Sequence, residues 1–302
     1  MSTLPAYVLI TPAYNEGQFI ERTLQSMVAQ RVRPLKWVVV SDGSTDGTDD
    51  IVKKYAADHD WIELVTLPPR TERHFAGKVA AFNAGYARVS GLHYDVIGNL
   101  DADVSFADDY LEFLLAKFAD SPTLGVAGTP YLEENPGHDD RFKSPGHVSG
   151  ACQLFRRACF ESIGGYPAVK SGGIDLIALL QAQSKGWQTR RFDEKTCVHH
   201  RSVGSGQHAQ ICSRLVNHGR KDYLLGSHPG FELFRGVYQM KSRPYLLGGL
   251  LVLAGYFWAM MRRLERSMPE ELIELRQADQ LQRLKTVLRH PLRSKAIAAA
   301  RS

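Results

Sequence analysis

The sequence predicts an α/β fold in which a mostly parallel β-sheet carries helices on both of its faces. Up to about residue 130, short apolar runs rich in Val and Ile alternate with longer segments whose apolar residues recur at helical spacing. This alternation is typical of parallel sheets built from strand–helix–strand units. A chain of 302 residues with 44% hydrophobic and 23% charged side chains can bury a core, which excludes disordered, collagen-like and disulfide-scaffold proteins.

The predicted elements follow a regular order at first and a less regular one later. Strands are predicted at 7–11, 37–41, 62–67, 95–100 and 124–128, and helices at 17–30, 48–58, 77–89 and 108–119. Residues 133–146 are rich in Pro, Gly and acidic residues and predict a surface loop, and mixed elements surround a helix at 174–184. Ligands of such sheets bind beyond the carboxyl ends of the strands, so site residues are expected there.

The C-terminal part of the chain is both basic and apolar. Residues 243–302 carry 11 Lys and Arg against 5 Asp and Glu, whereas residues 1–242 carry 26 against 27. The 17 uncharged residues 245–261 would form about 26 Å of helix, slightly less than a hydrocarbon core of roughly 30 Å. An amphipathic segment with several arginines follows from residue 269. This pattern fits an anionic bilayer surface better than it fits nucleic acid.

Three arrangements of the apolar segment stay open: a helix lying in or re-entering a membrane, a full span, and a buried helix of a C-terminal domain or dimer interface. The four cysteines form no C-x-x-C pattern, which predicts reduced thiols. The N-terminus shows neither a basic n-region nor a long apolar stretch. No export signal is therefore predicted, and the bulk of the chain is expected in the cytoplasm.

A first polar motif, T-P-A-Y-N-E at 11–16, ends the first predicted strand. A strand that ends in a proline and turns into a helix presents Tyr14 and Glu16 to a crevice. The alternative is an ordinary turn in which Asn15 caps the helix.

A second motif, S-D-G-S-T-D-G-T at 41–48, follows the second strand. An acidic residue at a strand terminus before a Gly-Ser turn can accept hydrogen bonds from a nucleotide base or ribose, and Asp42 is the candidate. Asp46 and Thr48 are predicted to be structural, because such residues also fix turns and helix starts.

A third motif, Asp101-Ala-Asp103, follows the fourth strand. Alternation of side chains places both carboxylates on one side, where they can converge on a hard divalent cation bound to a diphosphate. Acidic pairs of this spacing are frequent by chance, and two solvated turn carboxylates are the alternative. The position at a strand end is what favours a metal site.

A fourth motif, Gly172-Gly-Ile-Asp175, opens an apolar helix. Spacing alone favours Asp175 as the N-cap of that helix. The alternative is a general base, because a carboxylate at the mouth of a pocket can take a hydroxyl proton in the transition state.

Taken together, these motifs resemble glycosyltransferase family 2, inverting enzymes with the GT-A fold, which is Rossmann-like. The resemblance covers roughly residues 5–225. Its five ordered motifs stand here as P-A-Y-N-E at 12–16, D-G-S-T-D-G-T at 42–48, G-K-V-A-A-F-N-A-G at 77–85, D-A-D at 101–103 and G-G-I-D at 172–175.

The resemblance assigns roles to the donor-binding residues. It implies that Pro12, Tyr14 and Glu16 line the pocket for the base and ribose, that Asp42 contacts the nucleobase, and that Lys78 lies near the nucleotide. The resemblance also implies that Asp103 and Asp101 hold Mg²⁺ or Mn²⁺ on the donor diphosphate. Asp101 is implied to belong to the nucleotide site as well.

The resemblance also reverses the preference for a cap at Asp175 and makes it the catalytic base. Many members have Glu-Asp at this point, whereas Ile174 precedes Asp175 here, so a supporting carboxylate is missing. The Q-x-x-R-W motif of processive synthases is absent, which favours transfer of a single sugar.

Later segments offer further candidates. The run V-H-H-R-S at 198–202 resembles a segment in which some members place a metal- or phosphate-binding histidine, and His199 is the closer match, with His200 not separable from it. Arg214 and Arg220 are candidates for a closing segment over the diphosphate, and a solvated helix face is the alternative.

These expectations combine into one function. Residues 1–105 are expected to bind the nucleotide sugar, 106–227 the acceptor, and 228–302 to form a helical, membrane-associated region. We expect transfer from a nucleotide sugar, with UDP favoured over GDP and dTDP, to a hydroxyl of a lipid-linked saccharide in cell-surface polysaccharide synthesis. The expected location is the cytoplasmic face of the plasma membrane, peripheral or monotopic, with no nucleic-acid partner and the oligomeric state open.

Three other functions are weighed against this one. Sugar-phosphate nucleotidyltransferases normally open with a Gly-rich loop, where this chain has P-A-Y-N-E. A polyprenyl-phosphate glycosyltransferase would share the donor site but would need no base. A non-catalytic nucleotide-sugar-binding protein would bind the donor without consuming it.

Overall fold

The computed structural model of the protein describes residues 3–69, 76–133, 146–169, 171–201, 208–240 and 245–289. The chain divides into two compact units, Met1–Val203 and Gly204–Ser302. The first unit contains, in chain order, β1 (Tyr7–Ala13), α1 (Ile20–Val28), β2 (Lys36–Ser41), α2 (Thr48–Asp58), β3 (Ile62–Thr66), α3 (Ala76–Val89), β4 (Val96–Leu100), β5 (Val104–Ser105), α4 (Tyr110–Asp120), β6 (Leu124–Gly128), β7 (Tyr131–Glu133), β8 (Cys152–Arg156), α5 (Arg157–Ser162), α6 (Ile174–Ser184), β9 (Gln188–Arg191) and β10 (Cys197–His199).

The large sheet has seven strands in the order β3-β2-β1-β4-β8-β6-β9. The pairs β1–β2, β1–β4, β2–β3 and β6–β9 are parallel, and β8 runs antiparallel between β4 and β6. A small second sheet has the order β5-β10-β7, in which His199 lies opposite Val104. The predicted mostly parallel sheet is confirmed, and the small sheet brings His199 beside the chain that follows Asp103.

Both faces of the large sheet are covered by helices. Successive residues of β1 point to opposite faces. Tyr7 and Leu9 belong to a core with residues of α1 and α4, whereas Val8 and Ile10 belong to another with residues of α3 and α6. This alternation confirms the predicted two-faced α/β arrangement.

The first strand and helix differ slightly from their predicted bounds. β1 continues through Pro12, which lies beyond the last residue of β1 paired with β4, a position where the missing N–H of proline is tolerated. α1 begins at Ile20, because a turn in which the Phe19 N–H donates to the Glu16 carbonyl comes first. The predicted loop at 133–146 falls almost entirely outside the described residues.

The second unit contains the helices α7 (His208–Leu224), α8 (Pro229–Gln239), α9 (Leu247–Met261) and α10 (Glu270–Arg289), and the last three lie in the region 228–302 that is predicted to be helical. Glycines let α7 and α9 approach closely. A Cβ added at Gly219 would lie 1.8 Å from the Val252 carbonyl oxygen, and one added at Gly255 would lie 2.0 Å from that of Val216. Larger side chains at these positions would push the two helices apart.

An ionic cluster joins α7, α8 and α10 inside this unit. The Asp222 carboxylate is bonded by Arg235 and lies 3.6 Å from Nη2 of Arg276 and 3.3 Å from Nε2 of His218. Arg235 also lies 2.8 Å from the buried Glu232. Burial raises the pKa of Asp222, but the arginines and His218 lower it more, so the carboxylate stays ionised.

Among the described residues, no helix combines the length and the apolar character needed to cross a bilayer. The apolar segment predicted at 245–261 contains the 15 residues of α9. All four cysteines are free thiols, as predicted. The functional division at 105 and 227 stays a prediction.

Candidate functional site

Three polar loops meet at the carboxyl end of the large sheet. β1, β2 and β4 are parallel neighbours, so their carboxyl ends lie along one edge. The Asp42 N–H donates to the Ala13 carbonyl at 2.9 Å, and the Asp101 N–H donates to the Ala151 carbonyl at 2.8 Å. The predicted polar motifs therefore lie at the same edge, where sheets of this kind bind ligands.

Asn15 fastens the first loop to the second. Its side-chain oxygen accepts from the Thr45 N–H at 2.8 Å, and its own N–H donates to Ser44 Oγ at 3.1 Å. Asn15 has a positive φ of 50°, a conformation that asparagine tolerates better than most residues. Because the cap position of α1 is Phe19, the alternative in which Asn15 caps that helix is wrong.

Asp46 and Thr48 complete this connection. Asp46 accepts from the Gly17 N–H at 2.8 Å and from Thr48 Oγ1 at 2.5 Å, and Thr48 Oγ1 accepts from the Glu16 N–H at 2.8 Å. These hydrogen bonds connect the two loops to each other, which agrees with the structural role predicted for Asp46 and Thr48. The result is a fixed backbone beneath Glu16.

Asp101 is held between two side chains. Lys78 Nζ, on α3, lies 2.6 Å from Asp101 Oδ1, and the buried Asn99 donates to the same oxygen at 3.0 Å and to the Gly150 carbonyl at 2.6 Å. Burial lowers the pKa of Lys78, but Asp101, Asp175 and, less strongly, Asp103 raise it more, so its pKa is above its usual value. Lys78 is therefore a positive charge among the site carboxylates.

Asp103 is the most buried carboxylate of the site, with its side chain 8% exposed. His199 Nε2 lies 3.4 Å from Asp103 Oδ1, and Arg201 Nε lies 3.3 Å from Oδ2. The other end of the same guanidinium, Nη2, donates to Glu16. Arg201 therefore joins the first motif to the third.

Burial governs the ionisation of these two acids. It raises the pKa of Asp103, Asp101 raises it further, and His199 and Arg201 oppose the rise. It also raises the pKa of Glu16 to about 7, against the hydrogen bond from Arg201. Carboxylates with raised pKa values favour a bound cation, which stabilises their charged form.

The structure separates the two adjacent histidines. His199 faces Asp103, whereas His200 is buried, with Nδ1 2.8 Å from Arg22 Nη1 and Nε2 2.8 Å from Ser105 Oγ. Both ring nitrogens of His200 are thus occupied by the protein. His199 is the histidine available to a ligand, in agreement with its closer match to the family segment.

Asp175 does not cap α6. The cap position is Gly173, and Asp175 lies in the first turn without a capping hydrogen bond. A Cβ added at Gly150, whose carbonyl accepts from Asn99, would lie 3.4 Å from Asp175 Oδ2. Asp175 and Asp101 both raise the pKa of Lys78. The cap favoured by spacing is therefore wrong, and Asp175 lies beside the acidic site.

Asp101, Asp103 and His199 form a set that could hold a metal ion. One oxygen of each carboxylate and one ring nitrogen all lie within 4.8 Å of one another. His199 Nδ1 lies 3.2 Å from the Arg201 carbonyl oxygen, which fixes the ring and leaves Nε2 toward the acids. Two carboxylates and one imidazole suit Mn²⁺ well, while Mg²⁺ prefers oxygen ligands alone.

The remaining predicted residues fall into two groups. Pro12 lies near the end of β1, and Tyr14 and Asp42 directly follow β1 and β2, all three partly exposed at the edge described above. Arg214 and Arg220 lie on α7 in the second unit, both exposed, and the guanidinium of Arg220 lies 5.9 Å from the Trp258 ring. Their role at a diphosphate stays a prediction.

Sequence reasoning missed two site residues. Arg201 follows His199 by two positions, and the alternation of an extended chain places such residues on the same side, a signal that was present in V-H-H-R-S. Asn99, two residues before Asp101, follows the same rule. Neither residue belongs to the five ordered motifs of the family.

Curated relatives match less than half of the chain. The Probable glycosyltransferase YdaM of Bacillus subtilis is 39% identical over 106 residues, 34% of this chain and 24% of the relative. Poly-beta-1,6-N-acetyl-D-glucosamine synthase of Staphylococcus aureus is 30% identical over 130 residues, 43% of this chain and 29% of the relative. The chain thus matches less than a third of the length of these relatives.

Solved structures match over more of the chain. The mannosyltransferase PcManGT from Pyrobaculum calidifontis, in complex with GDP-Man and Mn²⁺, has a TM-score of 0.58 at 20% identity and covers 99% of this chain and 85% of its own. S. aureus TarS 1–349 with UDP has a TM-score of 0.53 at 17% identity, covering 83% and 70%. At such identities the likeness establishes the α/β, GT-A-like fold.

The family model described as "Glycosyl transferase family 2" matches residues 8–148. That range contains the first four of the five motifs, from P-A-Y-N-E to D-A-D. Residues 8–148 therefore match glycosyl transferase family 2, which confirms the family that the motifs predict.

Proposed function

We propose that this protein transfers a single sugar from a nucleoside-diphosphate sugar to a hydroxyl group of a saccharide, with inversion at the anomeric carbon. One observation carries the proposal. In a chain whose residues 8–148 match this family, the candidate ligand atoms of Asp101, Asp103 and His199 lie within 4.8 Å of one another, and Lys78 and Asp175 lie beside them.

Asp101, Asp103 and His199 are the residues that would hold Mn²⁺ or Mg²⁺. A cation bound there would offset the negative charge of the donor diphosphate, both when the donor binds and when the nucleoside diphosphate leaves. Lys78, on the other side of Asp101, adds a fixed positive charge. Tyr14 and Asp42 lie at the neighbouring strand ends, where we place the base and ribose.

Asp175 is the proposed general base. It projects from the first turn of α6 beside Gly150 and forms no helix cap, so its carboxylate is available to an acceptor hydroxyl. A proton taken by Asp175 as the hydroxyl attacks from the face opposite the leaving group gives inversion. The missing neighbouring acid at Ile174 leaves Asp175 to act alone.

The donor nucleotide is proposed to be UDP. PcManGT is in complex with GDP-Man, and TarS with UDP or UDP-GlcNAc, so neighbours of this fold take more than one base. Titration of UDP, GDP and dTDP with and without Mn²⁺ distinguishes them. Tight binding of one nucleotide that depends on Mn²⁺ would support the donor site, and binding of none would reject it.

The acceptor is proposed to be a lipid-linked saccharide at the cytoplasmic face of the plasma membrane. Support comes from the second unit, where Leu247, Leu250, Ala254, Trp258 and Met261 share one face of α9 and are exposed. The exposed Arg262 and Arg263 follow at the end of that helix. Apolar side chains beside basic ones are typical of helices that lie on anionic membranes.

The test of the reaction uses donor consumption in the presence of membrane lipid extract. Asp175→Asn should bind nucleotide and Mn²⁺ as the wild type does but lose most transfer, by at least about a hundredfold. Asp120→Asn, at the exposed end of α4, is the matched control and should keep full activity.

Two outcomes would replace the proposal. Unchanged turnover by Asp175→Asn would remove the base and favour transfer to a polyprenyl phosphate. Nucleotide binding without any donor consumption would favour a non-catalytic binding protein.

A further inference from the structure

Arg201 lies outside the five ordered motifs of the family, in the segment V-H-H-R-S at 198–202. Its guanidinium contacts two separate acids, with Nε 3.3 Å from Asp103 Oδ2 and Nη2 bonded to Glu16. The guanidinium carbon also lies 5.7 Å from the centre of the Phe19 ring. Arg201 thus lies across the opening between the first motif and the D-x-D motif.

Burial differs sharply between the partners. The side chains of Asp103 and Glu16 are 8% and 14% exposed, whereas that of Arg201 is 47% exposed. The acids belong to the floor of the site, and the cation covers them from the solvent side. A long, half-exposed side chain can leave such a position by rotamer changes, whereas the buried acids cannot follow it.

The charges explain why an arginine is needed there. Arg201 contacts both of the largely buried acids Asp103 and Glu16, and Lys78 is bonded to Asp101 rather than to Glu16. Without a cation, buried carboxylates this close destabilise the folded chain. Arg201 supplies that charge through a fork that reaches both Glu16 and Asp103.

The same carboxylate is a candidate metal ligand. Asp103 contacts His199 through Oδ1 and Arg201 through Oδ2. A divalent cation held by Asp101, Asp103 and His199 would place two further positive charges next to the guanidinium. Repulsion between the two cations at one buried carboxylate makes their binding mutually unfavourable.

We propose that Arg201 is a built-in counter-ion, which neutralises Asp103 and Glu16 in the metal-free protein, is displaced from Asp103 when a divalent cation binds, and then contacts the phosphates of the donor. The inference rests on the proposed function, which supplies the nucleoside diphosphate. Arg201 is thus expected to have two opposite effects. It weakens the binding of the metal in the absence of nucleotide, and it strengthens the binding of the nucleotide once the metal is present.

The experiment measures both affinities by calorimetry on the full chain, with Mn²⁺ alone first and then UDP, GDP and dTDP at saturating Mn²⁺. In Arg201→Met, the affinity for Mn²⁺ alone should rise about tenfold, and the affinity for the nucleotide that the wild type binds should fall about tenfold. Arg201→Lys, which keeps the charge without the fork, should lie between Arg201→Met and the wild type.

Arg31→Met is the matched control, because Arg31 also contacts a carboxylate, that of Asp108, but with both side chains about half exposed. It should change neither affinity. Thermal unfolding of each variant with and without Mn²⁺ verifies folding, and Arg201→Gln serves if Arg201→Met does not fold.

The outcomes separate this inference from the proposed function. Failure of the wild type to bind any of the three nucleotides with Mn²⁺ rejects the donor site itself. A wild type that binds, together with an Arg201→Met variant whose affinity for Mn²⁺ alone is unchanged or weaker, rejects the counter-ion role and leaves the donor site standing. Unchanged nucleotide affinity rejects the contact with the phosphates.

Discussion

Lys78 Nζ lies 2.6 Å from Asp101 Oδ1, and this ion pair joins α3 to the end of β4. The two side chains are 31% and 22% exposed, so water screens the pair only in part. Asp175 and Asp103 also raise the pKa of Lys78. The lysine is therefore an electrostatic partner of the whole acidic site.

Lys78→Met should destabilise the metal-free protein and make it respond more strongly to Mn²⁺. Asp101 would lose its charged partner, which lowers the free energy of unfolding by about 1 to 3 kcal/mol. A cation at Asp101 and Asp103 replaces the missing charge, so added Mn²⁺ should raise the melting temperature more in the variant than in the wild type. Thermal unfolding with and without Mn²⁺ measures both effects.

Lys53→Met is the control for this prediction. Lys53 pairs with Asp50 at 3.2 Å on the surface, with side chains 63% and 84% exposed, and such pairs contribute little. Its stability should stay within about 0.5 kcal/mol of the wild type. If Mn²⁺ raises the melting temperature of Lys78→Met and of the wild type by the same amount, Lys78 and the cation do not share a site.

The adjacent histidines should give opposite results when each is replaced. His199→Ala should weaken Mn²⁺ binding about 10- to 100-fold and leave the fold intact, because its Nε2 faces Asp103. His200→Ala should keep Mn²⁺ affinity and lower the free energy of unfolding by about 1 to 3 kcal/mol, because Arg22 and Ser105 lose a buried partner. Calorimetry and chemical unfolding measure the pair of effects.

A reversed pattern, with His200→Ala losing the metal, would contradict the assignment of the site to His199. Loss of Mn²⁺ affinity in both variants would show that the segment acts as a unit. Both measurements are made at one pH, because imidazole protonation competes with metal binding.

The sequence predicts the large sheet well, because local patterns determine most of it. Alternating burial in β1 and the helices that follow each strand are encoded in adjacent residues, and the motifs lie where strands end. The antiparallel β8 between β4 and β6 was not predicted. Strand direction there depends on which strands β8 pairs with, and local periodicity does not encode that pairing.

The site was predicted only in part, for a similar reason. The motifs predict the acids of the site, but local patterns do not show the contact of Arg201 with Glu16, which lies 185 positions away in the sequence. Spacing also assigned Asp175 to a cap, although Gly173, with a φ of 82°, takes that position instead. A pattern shows that an acid starts a helix, but only the positions of neighbouring chains show whether its side chain turns back to the helix or toward a site.

Asp46 should stabilise the protein in a pH-dependent way. Burial raises its pKa, but hydrogen bonds from Thr48 and Gly17 lower it more, so its pKa lies below the usual value of about 3.8. A carboxyl with a depressed pKa stabilises the fold above its unfolded-state pKa, and that contribution is lost as the pH falls through the folded-state pKa. Because Asp46 is exposed and water screens its charge, Asp46→Ala should cost only about 0.5 to 1 kcal/mol at pH 7 and less at pH 3.

Chemical unfolding of wild type and Asp46→Ala at both pH values measures this difference. Asp60→Ala, outside any strand or helix before β3, is the control and should change little. A cost that is the same at pH 3 and pH 7 would show that the loop connection does not depend on the charge of Asp46.

The exposed face of α9 should bind anionic membranes. Leu250 and Trp258 are 53% and 45% exposed on the same face of the helix, and burial of such side chains in a bilayer is favourable by about 1.5 to 3 kcal/mol each. Leu250→Glu and Trp258→Glu should each weaken binding to phosphatidylglycerol vesicles by about tenfold or more. Co-sedimentation with these vesicles and with neutral phosphatidylcholine vesicles measures the effect.

The exposed Leu35 of the first unit is the control, and Leu35→Glu should leave vesicle binding unchanged. Replacing Arg262 and Arg263 by Gln should reduce binding to anionic vesicles alone, by about 1 kcal/mol each, since that attraction depends on the lipid charge. Sedimentation of every variant without vesicles completes the test. If Leu250→Glu dissociates an oligomer and leaves vesicle binding intact, the face joins two copies of this chain, and the membrane must be bound elsewhere.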